Sequence, residues 1–161
     1  MWRLIATQDL EKAMNPLLHT PVMQAYLASA VVLGLNLLTL ANNTALSRAK
    51  ASEVVNPEDQ KLNKDAAVVL DEGNEKTRRY RRAHRNALEN IPLFLITGYL
   101  LTLTGIGTVF AFVLFGLFTF LRVLHSIAYI KGLQPWRTAS FALGAIVQVI
   151  VLGYIGYAAV A

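Results

Sequence analysis

A chain of 161 residues that is 55% hydrophobic and only 16% charged is too apolar, and too sparsely charged, for an ordinary soluble domain. Its net charge of +5 does not signal nucleic-acid binding, because most of the Lys and Arg lie in one segment flanked by apolar stretches, where positive charge marks membrane topology. With no cysteine, the chain has no disulfide, no thiolate nucleophile and no Cys-based metal site, so any sulfur chemistry must come from a bound thiol.

Residues 1–18 form a short amphipathic lead-in, ended by Pro16 and Pro21. Asp9, Glu11 and Lys12 fall where a signal peptide would need an uninterrupted apolar core. The first span is expected over about 22–46, a length that suits a hydrocarbon core of roughly 30 Å. Residues 47–83 carry most of the charge of both signs and read as a long connecting loop, with turns at Asn56-Pro57-Glu58-Asp59 and Glu72-Gly73-Asn74.

The second span, about 84–103, starts in charge and becomes apolar, so its first turns are polar and Pro92 is expected to kink it. A tight turn at 104–107 leads to the third span at about 108–130, and Lys131-Gly132-Leu133-Gln134-Pro135 breaks it. Trp136 suits an interface, and the fourth span covers about 138–160, where Gly144, Gly153 and Gly156 allow close helix packing. The whole chain, 1–161, is thus one all-α domain, an integral membrane four-helix bundle. Its basic segments at 47–85 and 131–137 belong on the cytoplasmic side and both termini on the other.

Charged groups at membrane depth are costly and mark functional positions. Arg81, Arg82, His84, Arg85, Asn86 and Glu89 lie within three turns of the second helix, and Arg82, Arg85 and Glu89 form one line. Snorkelling at the interface accounts for 78–82 but not for Glu89, a carboxylate that needs a partner. On the third helix Arg122, His125 and Tyr129 share a stripe. Arg137 and Thr138 start the fourth helix, and Arg48 and Lys50 end the first, at the same leaflet. A one-sided cluster of guanidinium groups suits a small polyanionic ligand, with Glu89 available for an ammonium group. His19, His84 and His125 are too scattered for a metal site, and no nucleophile triad or phosphate loop is present.

The stretch Arg82-Ala83-His84-Arg85-Asn86-Ala87-Leu88-Glu89-Asn90 resembles the signature of the membrane-associated proteins in eicosanoid and glutathione metabolism, the MAPEG family. Asn56-Pro57-Glu58-Asp59, Arg122 to Tyr129, and Arg137-Thr138-Ala139-Ser140-Phe141 resemble that family's first loop, third helix and fourth-helix start, in order. The nearest branch is that of microsomal glutathione transferase and microsomal prostaglandin E synthase. Ala87 stands where close relatives commonly have Asp, and Glu89-Asn90-Ile91-Pro92 looks more like the leukotriene-synthase branch.

The resemblance implies a homotrimer with glutathione bound between neighbours near the cytoplasmic face of a bacterial inner membrane or endoplasmic reticulum. It implies glutathione contacts at Arg48, Arg81, Arg82, His84, Arg85, Asn86, Glu89, His125, Tyr129 and Thr138, and catalytic roles for Arg137 and Asp59. The activity implied is a glutathione transferase that joins the thiolate to a hydrophobic electrophile, with lipid hydroperoxide reduction as a related activity. A prostaglandin-type isomerase and a non-catalytic lipid-binding scaffold of the same fold are the rivals. The role of Arg122 stays open.

Overall fold

The computed structural model describes residues 16–161 except 62 and 70–72. The lead-in expected over 1–18 therefore lies almost wholly outside the described residues, which begin with a single 3-10 turn, Pro16–His19. Four long helices follow: α1 (Pro21–Lys50), α2 (Glu75–Thr102), α3 (Thr108–Lys131) and α4 (Gln134–Ala158).

Local chemistry sets the helix ends. Thr20 caps α1, its hydroxyl accepting from the Met23 N–H at 3.2 Å, and Pro21 takes a first-turn position where its missing N–H costs nothing. Asn74 caps α2 by accepting from the Thr77 N–H at 3.1 Å. Gly132 closes α3 with φ +71, a left-handed conformation that glycine adopts without strain.

The charged segment is more ordered than the sequence suggests. α1 continues past the expected boundary to Lys50, and α2 starts at Glu75, so both ends of the expected 47–83 loop are helical. Between them a two-residue parallel bridge pairs β1 (Glu53–Val54) with β2 (Ala67–Val68), and Pro57–Lys61 forms a 3-10 turn. A cap from Asn74 and ion pairs from Glu75 to Arg78, Arg79 and Arg82 extend α2 past its apolar half; hydrophobic periodicity does not report them. α2 also continues through Pro92, its neighbours in the bundle holding it in place.

The helices alternate in direction. Thr77 of α2 donates to Ser47 of α1 at 3.0 Å, while at the far end the Tyr26 hydroxyl donates to the Leu95 carbonyl at 3.1 Å. Short turns link α2 to α3 and α3 to α4, so these pairs are antiparallel as well. All other helix pairs touch, but α1 and α4 do not. As a result, the C-terminal ends of α1 and α3 and the N-terminal ends of α2 and α4 meet at one end of the bundle.

Aromatic packing forms the core. Phe94 stacks on Phe118 with centroids 3.6 Å apart, and Phe115 meets Phe94 edge-on at 6.0 Å. Lipid is as apolar as these side chains, so their attraction comes from close contact rather than from escape from water. Asn36 of α1 adds a polar tie, donating to Ser126 of α3 at 3.0 Å. Of the three glycines expected to permit close packing in the fourth span, only Gly144 has neighbours where a Cβ would stand; Gly153 and Gly156 face open space.

α1, α3 and α4 are long and apolar enough to cross a membrane, and their outer faces expose Val31, Leu35, Leu38, Ile146 and Val149. α2 misses that description because its first half is charged.

Candidate functional site

The buried side of α2 is apolar: Ala83, Ala87, Ile91, Phe94, Gly98 and Leu101 recur at helical spacing and face the bundle. At about 100° per residue, Arg81, Arg85, Glu89, Arg82 and Asn86 span an arc of roughly 140° on the remaining side. Arg81, Arg85 and Glu89 are exposed, and Arg82 and Asn86 half-buried. A polar arc within a largely apolar bundle therefore faces outward from this chain.

One cleft lies at one edge of the arc. It holds about 370 Å³ between α1 and α2 and is lined by Thr44, Arg48, Val55, Thr77, Arg81 and His84, among others. A neighbouring hollow of about 290 Å³ shares Arg48 and Val55 and reaches Asp59. The rim is built by short hydrogen bonds. The Asn74 side-chain amide donates to Glu53 Oε2 at 2.8 Å, its backbone N–H donates to the same oxygen at 3.1 Å, and Thr77 bonds Ser47. Thr44 and Thr77 escape a search for charged residues, but each precedes an expected arginine by one turn, so helical spacing does identify them.

A second cleft, about 290 Å³, lies at the other edge, lined by Asn86, His125, Tyr129, Arg137, Thr138 and Phe141. The Arg137 guanidinium lies 4.9 Å from the centre of the Tyr129 ring, a cation–π arrangement that orients it. His125 Nδ1 is 2.9 Å from the Arg137 carbonyl oxygen; a carbonyl only accepts, so Nδ1 carries the proton. The Ser140 hydroxyl donates to the Trp136 carbonyl at 2.6 Å. The His125 bond joins the last turns of α3 to the first turn of α4, the Ser140 bond lies within that turn of α4, and together they set the position of Arg137.

The structure thus places most of the expected residues in two groups and leaves Arg82, Arg85 and Glu89 on the arc between them. Arg48, Arg81, His84 and Asp59 fall in the first cleft and its annex; Asn86, His125, Tyr129, Arg137 and Thr138 fall in the second. Arg85 and Glu89, one turn apart, form no ion pair with each other although their spacing permits it. Glu75 gathers the local ion pairs instead, with Arg78, Arg79 and Arg82 each at 3.1 Å. Desolvation pushes the Glu75 carboxyl upward, but the guanidinium groups of Arg82, Arg78 and Arg79 together outweigh it and hold it below the usual carboxylate range.

Arg122 lies apart from both groups. It is buried in α3 with its guanidinium 5.0 Å from the Phe118 ring centre and 5.6 Å from that of Phe141. A Cβ on Gly144 would stand 2.6 Å from Arg122 Nη2, so this glycine makes the space for the cation. Gly144→Ala is expected to destabilise the protein by about 1 kcal/mol through overpacking, since the guanidinium must shift from its place against the Phe118 and Phe141 rings. A lowered unfolding temperature in detergent is the readout.

The fold and the apolar helices define an integral membrane protein, a helical bundle with polar-lined clefts at one end. The chain belongs to the MAPEG family: the family model matches residues 26–157. It is 34% identical to rat microsomal glutathione S-transferase 1 over 135 residues, 81% of this chain and 86% of that protein. The human protein of the same name is 33% identical, over 76% of this chain and 81% of its own length. Human prostaglandin E synthase is 28% identical, over 78% of this chain and 82% of its own.

Proposed function

We propose that this chain is a glutathione-dependent membrane enzyme, a transferase that holds glutathione between adjacent copies in a homotrimer and activates its thiol. The carrying observation is the division of the cationic residues into two clefts flanking one outward arc on α2. Exposed charges such as Arg85 and Glu89 near membrane depth require a polar partner. A neighbouring copy bringing its second cleft against this copy's first, across the arc, supplies one. The similarity to glutathione S-transferases supports the choice of ligand.

In this reading Arg48, Arg81, Arg82, Arg85 and His84 receive the two carboxylates of the tripeptide, and Glu89 receives its ammonium group. Asn86, His125, Tyr129 and Thr138 complete the wall around Arg137. A free thiol has a pKa near 8.5, so only a few per cent is ionised at pH 7. Arg137 beside the sulfur favours the thiolate, which attacks an electrophilic carbon and forms a C–S bond as the leaving group departs. With a hydroperoxide the same thiolate attacks the terminal oxygen, the O–O bond breaks to release an alcohol and leave the sulfenic acid of glutathione, and the thiol of a second glutathione displaces water from it to give glutathione disulfide. Asp59 sits near Arg48 in the annex, where it can orient that arginine or accept a proton from water. The acceptor reaches the cleft through lipid and glutathione through water, and bringing them together does much of the work. The excess of Lys and Arg at this end of the bundle supports a cytoplasmic site. An isomerase reading draws on the similarity to prostaglandin E synthase.

Glu89→Ala is expected to weaken glutathione binding about tenfold with little change in turnover at saturation, the loss of one charge-assisted pair. An unaltered affinity by titration removes the ammonium-pairing role. The test of the whole reading is an ultraviolet titration of the detergent-solubilised protein with glutathione near neutral pH. A saturable thiolate signal supports the transferase, binding without thiolate an isomerase-like role, and no binding the scaffold.

A further inference from the structure

The most deeply buried charged side chain among the described residues takes no part in the mechanism above. Arg122 is 2% exposed, and no described protein group accepts a hydrogen bond from its Nε, Nη1 or Nη2. A guanidinium does not lose its proton in a protein, so this is a lasting cation at membrane depth that, among the described residues, meets two aromatic faces and no carboxylate. Burying such a charge unpaired is unfavourable, and an apolar side chain of the same length would fit the bundle better. The site is nonetheless shaped for it, because Gly144 leaves out the one carbon that would collide with Nη2.

Its position relative to the second cleft gives the charge a use. Phe141 meets Arg122 at 5.6 Å and also lines the cleft that holds Arg137. His125, one turn along α3 from Arg122, lines the same cleft and commits its Nδ1 to the Arg137 carbonyl. These two rings, 5.9 Å apart, stand between the buried cation and the cleft. The other groups facing that cleft are Tyr129 from α3, Arg137 and the neutral Thr138 from α4 and the neutral Asn86 from α2, with Arg85 and Glu89 on the outward arc beyond. α1 presents to this part of α3 the neutral Asn36.

We propose that Arg122 is an electrostatic positioning residue: a fixed positive charge behind the wall of the Arg137 cleft that favours an anionic sulfur in it without touching the ligand. The inference rests on the glutathione reading above. The anion in turn is the partner that the buried guanidinium lacks among the described residues, so thiolate formation and the charge on Arg122 reinforce each other. A unit charge roughly 10 Å from a forming thiolate, at an effective dielectric constant of about 20, shifts the thiol pKa by about one unit.

The test follows thiolate absorbance against pH at saturating glutathione, for the full chain in detergent. Arg122→Met is expected to raise the midpoint by about one pH unit, and Arg122→Lys, which keeps the charge, to hold it near the unaltered protein's value. A packing role alone moves both variants alike, or neither. Should the Met variant not fold, Arg122→Gln against Arg122→Lys carries the same comparison. Equal midpoints for charged and neutral variants overturn the inference while leaving the glutathione reading intact. Absence of any saturable thiolate signal in the unaltered protein overturns the glutathione reading, and this inference with it.

Discussion

Arg137→Ala is expected to lower turnover at saturating substrates by about 100-fold or more and to abolish the thiolate signal at pH 7, while glutathione still binds with reduced affinity. The size follows from the placement. Arg137 lines the second cleft, its guanidinium is oriented by the Tyr129 ring at 4.9 Å, and its backbone is tied to His125 at 2.9 Å. Once the guanidinium is gone, the sulfur returns toward its ordinary pKa near 8.5, and only about 3% is ionised at pH 7. The rest of the loss comes from the missing stabilisation of charge as the sulfur reacts. The sign gives a second check. A cation beside the thiol lowers its pKa, so the unaltered enzyme reaches its plateau at the lower pH, and the variant gains rate as pH rises toward 9. Arg137→Lys is expected to fall between, keeping a charge but not the planar fork. Unchanged turnover in Arg137→Ala at saturation removes its catalytic assignment.

Mixing two inactive variants is expected to restore activity. If each site combines the Arg48–Arg81 wall of one copy with the Arg137 wall of the next, then Arg48→Ala with Arg81→Ala disables one wall and Arg137→Ala the other. Each variant alone is close to inactive, because every interface holds a damaged wall. Co-expression pairs the copies at random, and about one interface in four then has both walls intact, so about a quarter of the normal activity returns. The physical ground lies on α2. Arg81 and Asn86 line different clefts about 140° apart around the helix, too divergent for both to face one ligand within a single copy. Recovery at that level places the site between copies. No recovery in verified mixed oligomers places both clefts at work within one chain and removes the shared-site reading.

Much of this architecture is legible before folding. The spans of α1, α3 and α4 follow from apolar length, which is a property of composition. The breaks near Gly105 and Gly132 follow from residues whose backbone tolerates positive φ, and both have it, at +72 and +71. The cationic residues of α2 stand out because a bilayer makes charge scarce.

Tertiary structure decided the rest. The extent of α2 to Glu75 depends on a cap from Asn74 and on ion pairs from one acidic residue to three arginines, interactions that leave no hydrophobic period. The spacing of Arg85 and Glu89 permits a pair that the fold does not form, since spacing says which residues share a face and not which rotamers they adopt. Gly144, Gly153 and Gly156 look equivalent along the chain, yet only Gly144 meets another helix, and what it meets is Arg122. The sequence by itself determined a basic-ended membrane helix bundle, because lipid imposes composition and length on each span independently. Only the tertiary structure sorted the basic residues into two clefts and buried one arginine behind them, because those outcomes depend on which helix faces meet.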